Sequence, residues 1–285
     1  MKEKKFGDIY IKGKEILKKQ KIQSYESDNI NIFQNCFGIK RHDLVFVREK
    51  IAPFESAQKY FEMIKKRING EPIQYLIGNW NFMGHDLKVG EGVLIPRDDT
   101  EVLILESVKL ISKINKPIVF DLCSGSGAIA IVLDSLINNP DMKITAIEYS
   151  KEAYSYLEYN VKKHKKNIQC LNMNIFECHN LFADNSIDAI ISNPPYICEE
   201  DVNSLQREVK FEPEIALNGG KDGLDFYRII LNKWVKKLKK GGFLGIEIGW
   251  GQLGSILDMF KICGLRDIIS FKDINGVDRA VFAVK

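Results

Sequence analysis

At 285 residues, 45% of them apolar, the chain is long enough for two domains with a substantial core and is globular rather than disordered. A formal net charge of +3 does not by itself require a nucleic-acid partner. None of the six cysteines (Cys36, Cys123, Cys170, Cys178, Cys198, Cys263) stands in C-x-x-C spacing, which reads as reduced thiols of a cytosolic protein rather than a disulfide frame or zinc site.

Residues 1–5 are charged and precede no apolar stretch, so no signal peptide is expected. No apolar run approaches the roughly 18 residues that span a bilayer. Residues 1–75 read as helices. Ile9, Ile16 and Leu17 can line one helix, and Ala57, Tyr60, Phe61, Ile64 and Ile68 form the stripe of a second, closed by Gly70 and Pro72. This segment is either a small recognition domain or a structural cover. Residues 76–95, punctuated by Gly78, Gly84, Gly90 and Gly92, read as a β-hairpin linker. A helix is expected to open at Pro96-Arg97-Asp98-Asp99-Thr100-Glu101, where Arg97 is either an anion contact or part of a helix-start ion pair.

From there strands and helices alternate. Strands are expected over Ile118–Leu122, Lys143–Glu148, Ile168–Leu171, Ile187–Ser192, Phe243–Ile248, Leu265–Phe271 and Arg279–Val284. Helices are expected after Gly127, after the capping residue Ser150, over Leu224–Leu238 (closed by Lys239-Lys240-Gly241-Gly242) and over Leu253–Cys263. The alternation implies a parallel, doubly wound sheet over residues 96–285.

Three loops carry the chemistry. Asn193-Pro194-Pro195-Tyr196 succeeds an apolar strand, and the prolines end its hydrogen-bond ladder. Asn193 therefore stands at a strand's carboxyl end, where open α/β sheets bind ligands. Its amide oxygen and a proline-flanked carbonyl can accept two bonds from an NH2 group, and Tyr196 can pack on the plane carrying it. The alternative is a turn that merely ends a strand. Asp121-Leu122-Cys123-Ser124-Gly125-Ser126-Gly127 reads D-x-x-x-G-x-G: it lacks the lysine of a phosphate loop and is either a ligand loop or a tight turn. Glu148, ending the next strand, can accept both hydroxyls of a ribose. Together these fit an adenosine cofactor without a pyrophosphate, and S-adenosyl-L-methionine fits best. The four histidines (His42, His85, His164, His179) are scattered and suggest no metal.

The chain resembles the protein-(glutamine-N5) methyltransferases of peptide chain release factors (the PrmC/HemK family). Asn193–Tyr196 alone is shared with adenine-N6 DNA methyltransferases and some RNA ones. More specific are Glu71-Pro72-Ile73-Gln74-Tyr75 with Gly78, Phe82 and Gly84, Ile95-Pro96-Arg97 with Thr100-Glu101, and Asp121 through Ala130. Phe211-Glu212-Pro213-Glu214, the glycines beyond it, Glu247-Ile248-Gly249 with Gln252, and the late Asp273 and Arg279 also match. Three positions depart: Cys123 stands where the family usually has Gly, Asn174, ahead of Ile175-Phe176, where it usually has an acid, and Asp98, read as neutral, in place of the second proline of Pro-Arg-Pro.

The resemblance implies a Rossmann-like class I methyltransferase sheet with a small N-terminal helical domain. It implies catalytic roles for Asn193, Pro194 and Tyr196, with Pro195 beside them at the substrate. It implies cofactor contacts from Asp121, Cys123, Ser124, Gly125, Ser126, Gly127, Glu148, Asn174, Ile175 and Asn193, and a substrate glutamine in a Gly-Gly-Gln (GGQ) loop of a release factor. No nucleic acid or membrane partner and a cytoplasmic location are expected. The rivals are an adenine-N6 DNA or RNA methyltransferase, which needs a dense Lys/Arg surface, and a nonenzymatic nucleoside-binding module.

Overall fold

The computed structural model describes residues 4–285. Residues 1–3, part of the stretch that argued against a signal peptide, lie outside the described residues. No helix among the described residues is long and apolar enough to cross a membrane. The chain divides into two units: residues 1–79 with 206–211, and residues 80–205 with 212–285. From Trp80 onward the hairpin expected as a linker therefore groups with the second unit.

The first unit is helical: α1 (Phe6–Lys19), α2 (Tyr25–Phe37), α3 (Leu44–Val47), α4 (Phe54–Ile68) and α5 (Ile73–Ile77). Ile9, Leu17, Ile32, Phe33, Tyr60 and Ile64 form its core. Gly13 lets α1 approach this core, because a Cβ there would lie 1.7 Å from the Tyr60 hydroxyl and 2.7 Å from Asn29 Oδ1. The buried Arg67 guanidinium donates to Asp28 at 2.6 Å and also pairs with Glu208, which ties residues 206–211 to these helices.

The second unit, from Trp80, takes in nearly all of the hairpin β1 (Asn79–Phe82) and β2 (His85–Lys88), turned by Met83 and Gly84 at positive φ. The remaining strands are β3 (Ile118–Leu122), β4 (Lys143–Glu148), β5 (Ile168–Asn172), β6 (Ile187–Ser192), β7 (Leu238–Glu247), β8 (Arg266–Lys272) and β9 (Asp278–Val284). They form one sheet in the order β5-β4-β3-β6-β7-β9-β8. The parallel strands are buried on both faces, so successive residues feed different cores. Val119, Ala189, Ile191 and Phe243 pack with α6 (Thr100–Ile111), α7 (Ala128–Ile137) and α8 (Lys151–Lys163). Phe120, Ile190, Leu244 and Ile246 pack with Tyr227, Trp234 and α11 (Leu253–Ile262) on the other face.

The structure corrects four details. The sheet is mixed: β9 runs antiparallel to β7 and β8. The turn at Asp273–Val277, too short for a crossover, can only return the chain antiparallel. The helix expected to open at Pro96 starts at Thr100, because residues 95–99 are held in irregular conformation by Glu212, which accepts the Ile95 N–H and pairs with Arg97. The helix expected over Leu224–Leu238 is α10 (Asp225–Ile229), a π turn over Ile230–Trp234 and a 3-10 turn over Val235–Lys237. Its expected closure, Lys239–Gly242, lies instead in β7, whose register shifts between the pairs Ile187–Leu238 and Ala189–Phe243.

The close approach at Gly13 yields a test. Gly to Ala inside a helix ordinarily gains about 0.5–1 kcal/mol. Gly13→Ala should instead lose about 1–3 kcal/mol in urea unfolding through overpacking. Equal or greater stability would contradict the packing described.

Candidate active site

Register alone assembles the site. Leu122 pairs with Ile147 on one side and Ser192 on the other, and Ser192 pairs with Ile246. The next residues along these strands are Cys123, Glu148, Asn193 and Glu247, so a thiol, an amide and two carboxylates stand side by side at the carboxyl edge. The strand order reverses between β3 and β6, the position where such sheets open a ligand crevice.

A cavity of about 190 Å3 lies there. Its walls include Cys123, Gly125, Ile147, Glu148, Asn174, Ile175, Asn193 and Pro195, with Phe176, Phe226, Pro213 and Ile215 adding apolar surface. Asp121, Ser124, Ser126, Gly127, Pro194 and Tyr196 are not among its walls. Gly127 lies behind them: its φ is +84°, and a Cβ would meet Leu157 at 2.7 Å. Gly125, at φ +54°, has no atom within 4 Å of a built Cβ. Ser124 donates from its hydroxyl to the Asp121 carbonyl and from its backbone to the Ile147 carbonyl, which fixes the loop between two strand ends. Asn160, given no role by the sequence, donates to the Ser126 and Lys88 carbonyls and so anchors the same loop to β2. Cys123 adopts φ +61°, where a side chain is disfavoured, and burial pushes its thiol pKa up.

Glu148 accepts the Gly125 N–H on one oxygen and the Ser150 N–H on the other, both at 2.8 Å. Each oxygen keeps lone-pair capacity for a further donor. Burial raises its pKa despite these bonds. Asn174 Oδ1 accepts the Phe176 N–H in a local turn, so an adenine amino group would have to share that oxygen. Ile175 is fixed by its carbonyl, which accepts the Trp234 indole N–H at 2.9 Å.

Asp121 is fully buried, and neither carboxylate oxygen has a hydrogen-bond partner among the described residues. Burial raises its pKa to about 7, against the opposing pull of the nearby Ser124 hydroxyl and Ala130 N–H, neither of which reaches hydrogen-bonding geometry with it. An unpaired buried carboxylate beneath the loop, an acceptor pair at Glu148 and apolar walls fit a ligand that combines a cationic centre, a diol and a flat ring, as S-adenosylmethionine does.

Asn193 Nδ2 donates to Thr100 Oγ1 at 3.2 Å, and Thr100 Oγ1 donates to Glu247 Oε2 at 2.6 Å. The Tyr196 hydroxyl donates to Glu247 Oε1 at 3.3 Å, and its carbonyl accepts from Gln252. The Pro194 carbonyl accepts no hydrogen bond among the described residues. Gly219 admits the loop, since a Cβ there would meet Tyr196 Cα at 2.8 Å.

The comparisons with known proteins agree with this geometry. Residues 8–78 match the PrmC N-terminal domain and residues 98–211 the methyltransferase small domain. A release factor glutamine methyltransferase of Thermodesulfovibrio yellowstonii is 39% identical over 81% of this chain and 82% of its own. One of Clostridium botulinum is 33% identical over 98% of both chains. Among solved structures, a methyltransferase from Pyrococcus furiosus superposes with a TM-score of 0.52 at 18% identity, covering 72% of this chain and 90% of that one, a likeness of fold.

The unpaired Asp121 carboxylate gives a test with a definite sign. Its folded pKa lies above the unfolded value, so its contribution to stability is fully present below about pH 4 and is lost as pH rises to about 7. Asp121→Asn removes that loss. By denaturant unfolding without cofactor, the variant should gain about 1–4 kcal/mol on the parent between pH 4 and pH 8, while its cofactor affinity falls. A pH-independent difference would exclude the unpaired carboxylate.

Proposed function

We propose how the site of this chain, which belongs to the release factor glutamine methyltransferase family, carries out its reaction: Asn193 Oδ1 and the Pro194 carbonyl hold the two N–H bonds of a substrate glutamine amide. The enzyme is an S-adenosylmethionine-dependent protein methyltransferase, and its substrate is a release factor. The observation that carries the proposal is the direction of the Asn193 bond. Nδ2 is committed to Thr100, which leaves Oδ1 as the acceptor beside the cavity.

A glutamine amide is a poor nucleophile because its nitrogen lone pair is delocalised. When bound, S-adenosylmethionine supplies an electrophilic methyl group on a sulfonium. Two fixed acceptors orient the nitrogen lone pair, and as resonance is lost and positive charge grows on nitrogen, the bonds to Asn193 and Pro194 strengthen. Such positioning can supply several kcal/mol, up to about 7–11 in ideal cases, with the acceptors adding electrostatic stabilisation. Tyr196, steadied by Glu247 and Gln252, packs on the amide plane. Glu148 is the one carboxylate in the cavity wall, and both its oxygens accept backbone N–H bonds. No side chain is assigned as a base: the methylated nitrogen, cationic and far more acidic than the starting amide, loses its proton to solvent after methyl transfer. S-adenosylmethionine would be held at its ribose diol by Glu148, at its adenine by Asn174 and Ile175 and at its methionine portion by the Asp121–Gly127 loop, with the Asp121 carboxylate behind that loop favouring its cationic group.

We assign the substrate glutamine to the Gly-Gly-Gln loop, with no nucleic acid required and the cytoplasm as the place of action. A side-by-side assay of labelled methyl transfer to purified release factor and to duplex DNA tests this. Label should appear on the release-factor glutamine alone, and label on DNA would overturn the reading. Asn193→Ala should lower kcat by at least about 100-fold with cofactor binding largely kept, whereas unchanged turnover would remove Asn193 from the reaction. Calorimetry should find cofactor binding weakened in Glu148→Ala, and equal affinity would refute the ribose contact.

A further inference from the structure

We propose that Thr100 and Glu247 are positioning residues that determine which end of the Asn193 side-chain amide faces the substrate. This rests on the role proposed for Asn193. The two ends of a carboxamide have nearly the same shape and opposite hydrogen-bonding character. Turned the wrong way, Asn193 would present an NH2 group to the NH2 group it must hold, and the acceptor pair would be halved. The NPPY loop contains nothing that prevents this, so the discrimination has to come from outside it.

A chain of proton directions supplies it. Ionised Glu247 can only accept, and it takes the Thr100 hydroxyl on Oε2 and the Tyr196 hydroxyl on Oε1. Thr100 has one hydroxyl hydrogen, committed to the carboxylate, so toward Asn193 its oxygen can only accept. Asn193 must therefore offer Nδ2, as it does at 3.2 Å, and Oδ1 is left for the substrate. Glu247 is 1% exposed and Thr100 4% exposed, so water is not at hand to replace either partner. The two come from different elements, the last residue of β7 and the first of α6. The start of α6 is fixed separately: Asp99 pairs with Arg279 at 3.0 Å, and Arg279 pairs with Asp273 in the β8–β9 turn.

The state of Glu247 matters, because a protonated Glu247 could donate to Thr100 and release the Thr100 hydrogen toward Asn193. Burial and the neighbouring Asp99 raise its pKa to about 7, while Thr100, Tyr196 and Arg279 favour the charged form. Raising the pH favours the carboxylate.

The test uses the full-length enzyme at pH 8 with release factor as methyl acceptor. Thr100→Val keeps the shape and removes the hydroxyl, whereas Thr100→Ser keeps the hydroxyl. Thr100→Val should lower kcat about tenfold, the worth of one hydrogen bond in the transition state, with KM for the cofactor unchanged. Thr100→Ser should restore most of the rate. Equal kcat in Thr100→Val, or an equal loss in Thr100→Ser, would overturn the proposal. Failure of the unaltered enzyme to methylate release factor would instead overturn the function itself. Should Thr100→Val not fold, NMR of the unaltered protein decides. A nuclear Overhauser contact between the Asn193 side-chain NH2 and the Thr100 methyl supports the orientation, and its absence from an assigned spectrum rejects it.

Discussion

The buried carboxylate of Glu247 is the interaction on which the site depends. A charge at 1% exposure is costly unless it is hydrogen-bonded. Here the cost is offset by two hydroxyl donors, Thr100 and Tyr196, with the Arg279 charge nearby. Each donor is thereby held in one position and one proton direction. Through Thr100 the constraint reaches the side chain of Asn193, and through Tyr196 it reaches the far end of the same four-residue loop. A hydrophobic residue at 247 could pack as well and could do neither. The raised pKa of Glu247 and the unpaired state of Asp121 both place strain where ligands are handled rather than in the cores on the two faces of the sheet.

The second constraint is geometric. Parallel pairing of β3, β4, β6 and β7 brings residues far apart in sequence to one level at one edge, because each register fixes the next. The loops leaving these strands then give the edge its chemistry. After β3 come glycines at positive φ, whose N–H groups are taken by Glu148 and by the Ser124 carbonyl. After β6 come two prolines, which leave carbonyls without a ladder. The same sheet edge therefore offers a backbone-held carboxylate on one side of the crevice and the Asn193 and Pro194 oxygens on the other. That polarity suits a cofactor with a diol and a substrate with an NH2 group.

Much of this was legible in the sequence, for identifiable reasons. The strands β3 to β6 are short apolar runs with turn residues at both ends, and such runs have few alternatives. Asn193, Glu148 and Gly125 could be placed because each stands at or just beyond the end of such a run. The direction of β9 could not be read, since an apolar strand looks the same in either sense, and only the short Asp273–Val277 turn determines it. The start of β7 was missed because Lys239–Gly242 resembles a helix closure until the register shift against β6 is known. Thr100 and Glu247 matched the family pattern but received no role. Their function is a contact across 147 positions of sequence, and neither residue type signals its partner. Asn160 was missed for the same reason, as a polar residue in a helix that happens to face the glycine loop.

The central claim is that Asn193 and Pro194 jointly accept the substrate NH2 group. It is tested most directly by a crystal structure with the demethylated cofactor and a glutamine peptide from a release factor. The account predicts the glutamine side-chain nitrogen within about 3.2 Å of both the Asn193 side-chain oxygen and the Pro194 carbonyl oxygen. A glutamine whose nitrogen is held by other groups, with Asn193 and Pro194 left to solvent, would contradict it.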